Sequence, residues 1–268
     1  MNLEPEKAAQ NFLELASEQR IRILSYLEQK KTNLSTITKE LDATPSEVHR
    51  NINRLMDAGL IKKDQERDYD LTLFGKVVCK YTDSLFFIPE NKEFFNTHTF
   101  GELSPKFIQR IGSLHSHNLI KGVVKVLEQW KQIHSNAEKY VYNILVEVPY
   151  FPDFIDVVAS KLDKGIKIKS IFSENVIIPD ERKEIFEKRN FQEYIKNGIL
   201  ERKMQKTTSI VVILNEKEAG VVFPNTLGGI NLGEMLYSKE AAFHEWCLDF
   251  FNESWNNSTS FQESKLNS

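Results

Sequence analysis

Residues 44–59 read TPSEVHRNINRLMDAG, and this stretch decides the fold of the first domain. Thr44 is a good N-cap, Pro45 at the first helical position gives up an amide that had no partner, and Glu47 stands where a capping box requires it. Gly59 ends the helix as a C-terminal cap residue. Apolar side chains at helical spacing predict a buried stripe of Val48, Ile52, Leu55 and Met56.

The elements on either side of this helix complete a recognisable motif. Residues 17–27 predict an amphipathic helix, and residues 34–41 predict a second, shorter helix before a tight break. After Gly59, residues 60–63 and 69–73 have the pattern of two short strands joined by a charged loop. Three helices followed by a hairpin are typical of a winged helix-turn-helix, whose third helix enters the DNA major groove.

The outward face of the third helix supplies the candidate DNA contacts. We predict that Arg50 and Asn53 contact bases, because Arg pairs with guanine and Asn with adenine through two hydrogen bonds each. Any solvated helix has a polar face, so the order of helices and hairpin carries the prediction more than the face does. The remaining candidates, for secondary base contacts, for phosphates or for the helix start, are Thr36, Thr44, Ser46, His49, Arg54, Lys62, Lys63 and Arg67.

Charge and composition restrict the function further. The 268 residues are 41% hydrophobic and 27% charged, which is the composition of a globular protein of about two domains. The net charge is −3, and residues 1–82 hold 13 Lys+Arg against 13 Asp+Glu. A protein that coats nucleic acid would need an excess of cations, so this balance favours a sequence-specific regulator with modest non-specific affinity.

Sequence also suggests where the protein works. Cys79 and Cys247 are far apart in the chain, which favours free thiols in a reducing compartment. Residues 1–7 lack the pattern of a signal peptide, and no apolar run reaches the ~20 residues of a membrane span. We therefore expect a cytoplasmic protein without a membrane partner.

The chain divides by pattern into four parts. Residues 1–88 comprise the winged helix with a leading helix at 4–16 and a following helix at 71–88, and such flanking helices are candidates for pairing two subunits. Residues 89–139 are predicted to be a helical linker or dimerisation region, with helical spacing from 94 to 130. Residues 140–255 form the second domain, and the Ser/Asn-rich residues 256–268 are predicted to be disordered.

The second domain alternates strands with helices. Strands are expected at 140–148, 166–172, 200–204, 209–214 and 219–223, and helices at 152–162, 180–188, 191–197 and 239–255. The last two strands form a hairpin, so the α/β sheet should be mixed. The predicted fold class is thus α+β, with a winged helix-turn-helix followed by an α/β domain.

An ordered set of motifs resembles a known family. The motifs are residues 107–114 (FIQRIGSL), a strand–helix–Gly–strand unit over 141–172, residues 222–229 (VFPNTLGG) and residues 245–255 (EWCLDFFNESW). Over residues 10–255 they resemble archaeal ArsR-like winged-helix regulators with a methanogenesis-regulatory middle domain. The resemblance implies a dimeric transcriptional regulator whose second domain has a phospholipase D-like fold used for sensing or pairing. Family members often have an Asp after the Gly-Gly segment, where this chain has Asn231.

That fold raises an enzymatic alternative. A phospholipase D-type enzyme uses a His nucleophile with a Lys two residues later. None of the six histidines is followed by Lys at that position, so we predict no such catalysis and no enzyme. His115 and His117 are too close in sequence to share a helical face, whereas His244 and Cys247 are three apart but are typical of helix packing. No metal or cofactor is predicted.

The sequence therefore predicts a homodimeric transcriptional regulator that binds double-stranded DNA. Its second domain is a candidate sensor for a small-molecule effector, near the strand ends of an α/β sheet. The candidate effector residues are Glu147, Glu174, Asn175, Arg189 and Asn190. Two alternatives stay open: a protein-interaction scaffold that kept a winged helix, and a phosphodiesterase-like enzyme tethered to DNA.

Overall fold

The computed structural model describes residues 5–147, 152–177 and 189–263. The chain divides into two compact units, Met1–Leu85 and Phe86–Ser268. The first unit is mainly helical and the second contains a large mixed sheet, so the predicted α+β fold class is confirmed.

The first unit has the element order of a winged helix. Its elements are α1 (Pro5–Leu15), α2 (Glu18–Gln29), α3 (Leu34–Glu40), α4 (Pro45–Asp57), β1 (Ile61–Lys63), β2 (Tyr69–Leu71) and the first part of α5 (Leu73–Glu90). Strands β1 and β2 pair in antiparallel fashion to form the wing. Thr32 forms an isolated antiparallel bridge to Tyr69, which fixes the base of the wing to the segment after α2.

One apolar core joins these helices. Ile23, Leu24 and Leu27 of α2 meet Ile37 of α3 and the stripe of α4. Within that stripe Val48, Ile52 and Leu55 are fully buried and Met56 is partly buried, as predicted. Because this stripe faces the core, the residues on the opposite side of α4 face away from it.

The second unit alternates strands and helices, and the end of α5 leads into it. Its elements are α6 (Lys92–Phe95), α7 (Pro105–Gln109), a 3-10 turn (Ile111–Leu114), β3 (Asn118–Lys121), α8 (Val123–Asn136), β4 (Tyr140–Glu147), α9 (Pro152–Asp163), β5 (Lys167–Ile177), α10 (Phe191–Lys196), β6 (Leu200–Gln205), β7 (Val211–Asn215), β8 (Ala219–Val222), β9 (Glu234–Ser238), α11 (Ala241–Asn256) and β10 (Thr259–Ser260).

Within the described residues the sheet has eight strands in the order β10-β6-β5-β4-β7-β8-β9-β3. Strands β4, β5 and β6 are parallel, and all other pairs are antiparallel, as the predicted mixed sheet requires. Successive residues of β4 point to opposite faces, with Val141 and Leu145 in one core and Ile144 in the other. Helices α8 and α9 cover the first face, and α7 and α11 cover the second.

The structure corrects the predicted linker at 89–139. The second unit begins at Phe86, and Asn118–Lys121 is an edge strand paired with β9 rather than part of a helix. The run Leu119–Ile120 is too short for its spacing to distinguish the two states, and pairing with a strand more than a hundred residues later decided the outcome. Strand β9 itself has no counterpart among the predicted strands.

The predicted disordered tail is also partly wrong. Thr259–Ser260 adds to the sheet beside β6, and Phe261 packs on the core that contains Phe172. A polar segment can be ordered in this way when a sheet edge offers its backbone groups partners. The predicted helix at 180–188 lies outside the described residues.

Candidate functional site

Helix α4 begins with the predicted capping box. The Glu47 amide donates to Thr44 Oγ1 at 3.3 Å, and the Thr44 amide donates to Glu47 Oε2 at 3.1 Å. These hydrogen bonds with the Thr44 amide and hydroxyl hold the pKa of Glu47 below its usual value. The cap fixes where α4 starts, and therefore which residues of its first turns face outward.

The outward face of α4 is made by four of the predicted DNA contacts. Ser46, His49 and Arg50 are exposed, and Asn53 is half-buried. Their spacing of three and four residues places all four within one stripe of the helix, opposite Val48, Ile52 and Leu55. This stripe of Ser46, His49, Arg50 and Asn53 is named the recognition stripe below.

Two members of the recognition stripe touch each other. Asn53 Nδ2 lies 3.3 Å from His49 Nδ1, so the amide can donate to a ring nitrogen that lacks a proton. Arg50 makes no hydrogen bond or ion pair within the part of the chain that the structure describes, apart from its electrostatic effect on Glu47. Its guanidinium therefore keeps its donors for an external acceptor.

A buried polar network sets the orientation of α4. Arg20, only 7% exposed, donates to the carbonyl oxygens of Leu13 at 2.9 Å and Glu14 at 2.8 Å and reaches Asn51 Oδ1 at 3.4 Å. Asn51 donates in turn to Gln19 at 2.5 Å. The network joins α1, α2 and α4 through groups that are costly to leave unpaired in a core.

Arg54 belongs to this network and not to the recognition stripe. Its Nε and Nη2 donate to the two carboxylate oxygens of Glu14 at 3.0 and 2.6 Å. The hydrogen bond from Arg54 comes first among the causes that lower the pKa of Glu14, and the charge of Arg20 acts in the same direction. This paired fork anchors α4 to α1, and the predicted role of Arg54 as a phosphate contact stays a prediction.

Two threonines are also committed to local structure. The Thr44 hydroxyl donates to Glu47 Oε2 at 2.8 Å, and the Thr36 hydroxyl donates to Asn33 Oδ1 at 3.1 Å. Asn33 caps α3 by accepting the Thr36 amide. The geometry gives Thr44 and the segment around Thr36 a role at helix starts, and their predicted contacts with DNA stay predictions.

The wing carries cations together with acidic groups. Lys62, Lys63 and Arg67 are exposed, and Lys63 Nζ lies 5.4 Å from the centre of the Tyr69 ring. Lys31 binds the carboxylates of Asp64 and Glu66 at 3.1 Å each, which raises the pKa of Lys31. This pairing offsets two acidic groups that would otherwise repel phosphates near the three exposed cations.

One group of acidic side chains in the described residues has the spacing of a metal site. Oxygens of Asp64, Glu66 and Asp68 come within 4.8 Å of one another. Lys31 binds Asp64 and Glu66, and the backbone amides of residues 66 and 68 both donate to Asp64 Oδ1. The ring nitrogens of His117 and His244 contact the carbonyl oxygens of Leu114 and Asn215 at 2.7 and 2.6 Å. The contact of His244 fits the helix-packing role predicted for that residue.

Two neighbouring cavities of about 500 and 540 Å³ lie at the carboxyl edge of the parallel strands in the second unit. Glu102 and residues 207–209 line both of them. Thr208 Oγ1 is buried and has no hydrogen-bond partner among the residues that the structure describes, and the same is true of Ser104 Oγ in the smaller cavity. Unpaired hydroxyls, carboxylates and apolar side chains together are what small-molecule sites commonly contain.

The structure separates the five predicted effector residues. Glu147 lines the larger cavity and Glu174 lines the smaller one, so both residues lie at the carboxyl edge of the sheet. Arg189 instead pairs with Asp156 of α9, and Asn190 donates to Glu193 at the start of α10. Neither residue lines either of the two cavities. The side chain of Asn175 lies outside the described set.

Sequence reasoning missed the polar network and all of the cavity lining except Glu147 and Glu174. Arg20 stands at a core position of α2, three residues before Ile23, and Asn51 lies on the apolar side of α4. A polar residue in an apolar stripe was the available signal for both. Glu102 and Thr208 had no such signal, because only the tertiary fold brings residues of two distant loops to one cavity.

Comparisons with known proteins found one family and several solved structures that match this chain in part. Residues 10–87 match the family described as the HVO_A0261 N-terminal domain. No curated protein matches the chain. The archaeal chromatin protein TrmBL2, whose structure shows a novel mode of DNA binding, is 11% identical with a TM-score of 0.42, over 91% of this chain and 94% of TrmBL2.

Two further solved structures match just over half of the chain. NUC from Salmonella typhimurium, a phospholipase D family member, is 12% identical with a TM-score of 0.37. NucT from Helicobacter pylori is 12% identical with a TM-score of 0.41. Each alignment covers 55% of this chain and 99% of the other. The ArsR-like subtype and the phospholipase D-like character of the second unit stay predictions.

Proposed function

We propose that this protein is a sequence-specific DNA-binding transcriptional regulator that acts in the cytoplasm as a homodimer. The observation that carries the proposal is the recognition stripe: a capped helix, held by a buried polar network, presents Ser46, His49, Arg50 and Asn53 away from its core. Two such helices from a dimer would occupy successive major grooves of a roughly palindromic site.

Contacts divide by role in this proposal. Arg50 and Asn53 read guanine and adenine, and Ser46 and His49 make secondary contacts to base edges or phosphates. Lys62, Lys63 and Arg67 of the wing bind phosphates and set the register of α4. Arg54 and Thr44 support these contacts by fixing the position of α4 and its first turn.

The test is a binding titration of the full chain with fragments from upstream of genes, at about 50 and 200 mM salt. A regulator prefers one fragment and keeps that preference at the higher salt. Equal, weak and salt-sensitive binding to every fragment would favour the alternative of a protein-interaction scaffold. Ser46→Ala/Arg50→Ala/Asn53→Ala should lose the preference, whereas Lys39→Ala, a cation of α3 outside the recognition stripe, should keep it.

A second function is favoured by the sheet-edge cavities. We propose that the second unit senses a small molecule there, because Glu102, Glu147 and Ser173 face one cavity with the unpaired Thr208 hydroxyl. Carboxylates and hydroxyls suit a ligand that carries a positive charge or several hydrogen-bond donors. Such a ligand changes DNA binding only if its affinity differs between two arrangements of the dimer.

This sensing role has its own test. A screen of cationic and polyhydroxylated metabolites should find a compound that raises the melting temperature of the wild-type chain. Glu147→Gln should reduce the shift, and Glu138→Gln, on an exposed residue before β4, should not. If no compound of either class shifts the wild type, the sensing role is wrong and the DNA-binding role is unaffected.

The enzymatic alternative predicts a different result. A phosphodiesterase would hydrolyse bis(p-nitrophenyl) phosphate in a manner that depends on a nucleophile of the second unit. We expect no turnover by the full chain, because none of its histidines is followed by the Lys of the known motif. Turnover that survives purification by two independent routes would contradict this part of the proposal.

A further inference from the structure

Arg54 of α4 is bound on one edge of its guanidinium and open on the other. Its Nε and Nη2 donate to Glu14, while its Nη1 makes no hydrogen bond within the residues that the structure describes. Side-chain exposure is 44% for Arg54 and 13% for Glu14, so the carboxylate lies on the inner side of the pair. A guanidinium is a planar fork with five N–H donors, and the edge turned away from Glu14 can bind a second acceptor without breaking the first pair.

Arg20 fixes the Glu14 carboxylate in place. Glu14 lies in the last turn of α1, and the carbonyl oxygens of Leu13 and Glu14 at the end of that helix both accept from Arg20. The Arg20 Nε also lies 3.0 Å from Glu14 Oε2, and the Arg20 side chain is only 8% exposed. A buried cation therefore binds the backbone and the side chain of Glu14 together. Arg54 meets a carboxylate that is already held, and the orientation of its guanidinium follows from that carboxylate.

The charges of this group favour an anion at the open edge. One carboxylate, that of Glu14, is shared by two guanidinium groups, those of Arg20 and Arg54. The three side chains together carry one net positive charge, and its exposed part lies on Arg54. The hydrogen bond from Arg54 is the first cause that lowers the pKa of Glu14, so the carboxylate is ionised at neutral pH and keeps binding both cations.

Arg54 lies at the flank of the surface that would enter a major groove. It follows Arg50 by four residues, so its direction is rotated by about 40° around the helix axis from that of Arg50. The rotation is toward α1, because the side chain binds Glu14 there. A helix in the major groove places its central side chains against base edges and its flanks against the sugar–phosphate backbone. A cation on this flank therefore faces a phosphate and not a base.

We propose that Glu14 is a positioning residue for DNA binding, which holds Arg54 so that the open edge of its guanidinium binds one phosphate beside the major groove. This inference rests on the DNA binding of the proposed function and adds α1 to the elements that act in it. An exposed arginine without such a partner loses its rotamer freedom when it binds a phosphate. Glu14 removes most of that freedom beforehand, so the phosphate meets donors that are already aligned.

The sign of the effect of Glu14→Gln on DNA affinity tests this role. Removal of a carboxylate near DNA ordinarily strengthens binding, because a charge that repels phosphates is lost. If Glu14 positions Arg54, Glu14→Gln should instead weaken binding of the preferred duplex by about threefold to tenfold at about 100 mM salt. Glu6→Gln, on an exposed glutamate of the same helix, should not weaken it. Stronger binding by Glu14→Gln would mean that the carboxylate competes with phosphate for Arg54, and the proposal would be wrong.

Salt dependence separates positioning from a simple loss of folded protein. Each phosphate contact adds about 0.9 to the slope of log affinity against log salt concentration. Arg54→Ala and Glu14→Gln should each lower that slope by about 0.9, and the double variant should lower it no further, because both changes remove one contact. A variant that binds less only because part of it is unfolded keeps the wild-type slope. An unchanged slope in Arg54→Ala, at an exposed position, would overturn the phosphate contact even if Glu14→Gln did not fold.

Neutral replacement of single phosphates locates the contact. The full chain is titrated with preferred duplexes that each carry one methylphosphonate, which lacks the phosphate charge. At one position of each half-site, the wild type should lose affinity by about tenfold at about 100 mM salt and Arg54→Ala should lose none. Lys63→Ala, in the wing, is the control and should show the full loss at that position. If no position distinguishes Arg54→Ala from the wild type, this inference is wrong and DNA binding stands. A wild type that prefers no duplex would overturn both.

Discussion

At the scale of single residues, the structure distinguishes side chains that bind α4 to the other helices from side chains of α4 that are exposed to solvent. Arg54 and Arg50 are four residues apart on one helix and have the same chemistry. Yet Arg54 is bound by both oxygens of Glu14, and Arg50 is free of such partners within the described chain. Helix periodicity alone could not separate them, because the distinction lies in what α1 brings next to each position.

Arg50→Ala tests the role of an exposed side chain of α4 in DNA binding. We expect a loss of about 1–3 kcal/mol of binding free energy at the preferred site and relaxed specificity at one base position. Lys63→Ala should instead weaken all sequences alike and reduce the salt slope by about one. Both follow from titrations against a panel of single-base site variants. Unchanged affinity of Arg50→Ala across that panel would refute the base contact.

Glu14→Gln tests the role of a side chain that fixes the position of α4. Side-chain exposure is 13% for Glu14 and 8% for Arg20, so loss of the carboxylate leaves a cation short of a partner in the core. We expect the free energy of unfolding of the first unit to fall by about 1–3 kcal/mol at pH 7. Gln19→Ala, which removes the neutral acceptor of Asn51, should cost less.

The pH dependence of this effect has a fixed sign. The pKa of Glu14 is lowered in the folded state, first by the Arg54 hydrogen bond and also by the Arg20 charge, so the carboxylate stabilises the fold above its unfolded pKa of about 4.3. That stability disappears as the pH falls through the lower, folded pKa. Urea titrations of wild type and Glu14→Gln should therefore differ at pH 7 and converge in acid. A constant difference would show that the carboxylate acts only by packing.

At the scale of elements, close backbone contacts decide how helices meet. Thr72 donates its amide to the Leu60 carbonyl at 3.0 Å, and α5 then begins against the same group. Only a residue without a side chain allows this approach. The start of α5 can therefore pack against the residue before the wing because Gly75 has no side chain. The backbone angles of Gly75 are not the reason.

Gly75→Ala tests the close contact between α5 and Leu60, and two effects on stability oppose each other in this variant. Helix propensity alone would favour Ala by about 1 kcal/mol. The clash with Leu60 should outweigh it and cost about 1–3 kcal/mol of unfolding free energy, because backbone cannot move aside as a flexible side chain can. Thermal unfolding of this variant is compared with Lys76→Ala, at an exposed position of the same turn. Stabilisation by Gly75→Ala would show that the close approach is absent.

At the scale of the whole molecule, two units with separate cores are joined through α5. Counting only the residues that the structure describes, the winged-helix core contains no residue of the second unit, and the sheet cores contain no residue of the first. All three tryptophans, Trp130, Trp246 and Trp255, lie in the second unit. Tryptophan fluorescence therefore reports on the second unit, and helical circular dichroism reports on both. Among the described residues, no helix combines the length and apolarity that crossing a membrane requires.

Leu55→Ala tests whether the units unfold independently. Leu55 is fully buried in the first core, so its truncation should cost about 2–5 kcal/mol there. In urea, the early part of the circular dichroism transition should shift to lower concentration while the fluorescence midpoint stays unchanged. Ile144→Val, in a core of the second unit, serves as the reciprocal control. A parallel shift of both signals would indicate a single cooperative unit.

The sequence by itself determined the elements whose causes are local. The capping box of α4, the apolar stripe beneath it and the hairpin after it each depend on residues a few positions apart. The recognition stripe followed, because a buried stripe on a helix fixes the opposite face. Alternating patterns likewise predicted the β7–β8 hairpin and the mixed sheet.

Tertiary structure alone decided the features whose partners are distant in the chain. Asn118–Lys121 became a strand because β9 offered its edge, and the tail became ordered because β6 did. Arg54 became an anchor because the fold placed Glu14 within hydrogen-bonding distance, and the cavities arose where separate loops met strand ends. Pairing and packing free energies of this kind depend on which surfaces meet in space, and a local sequence pattern does not contain that information.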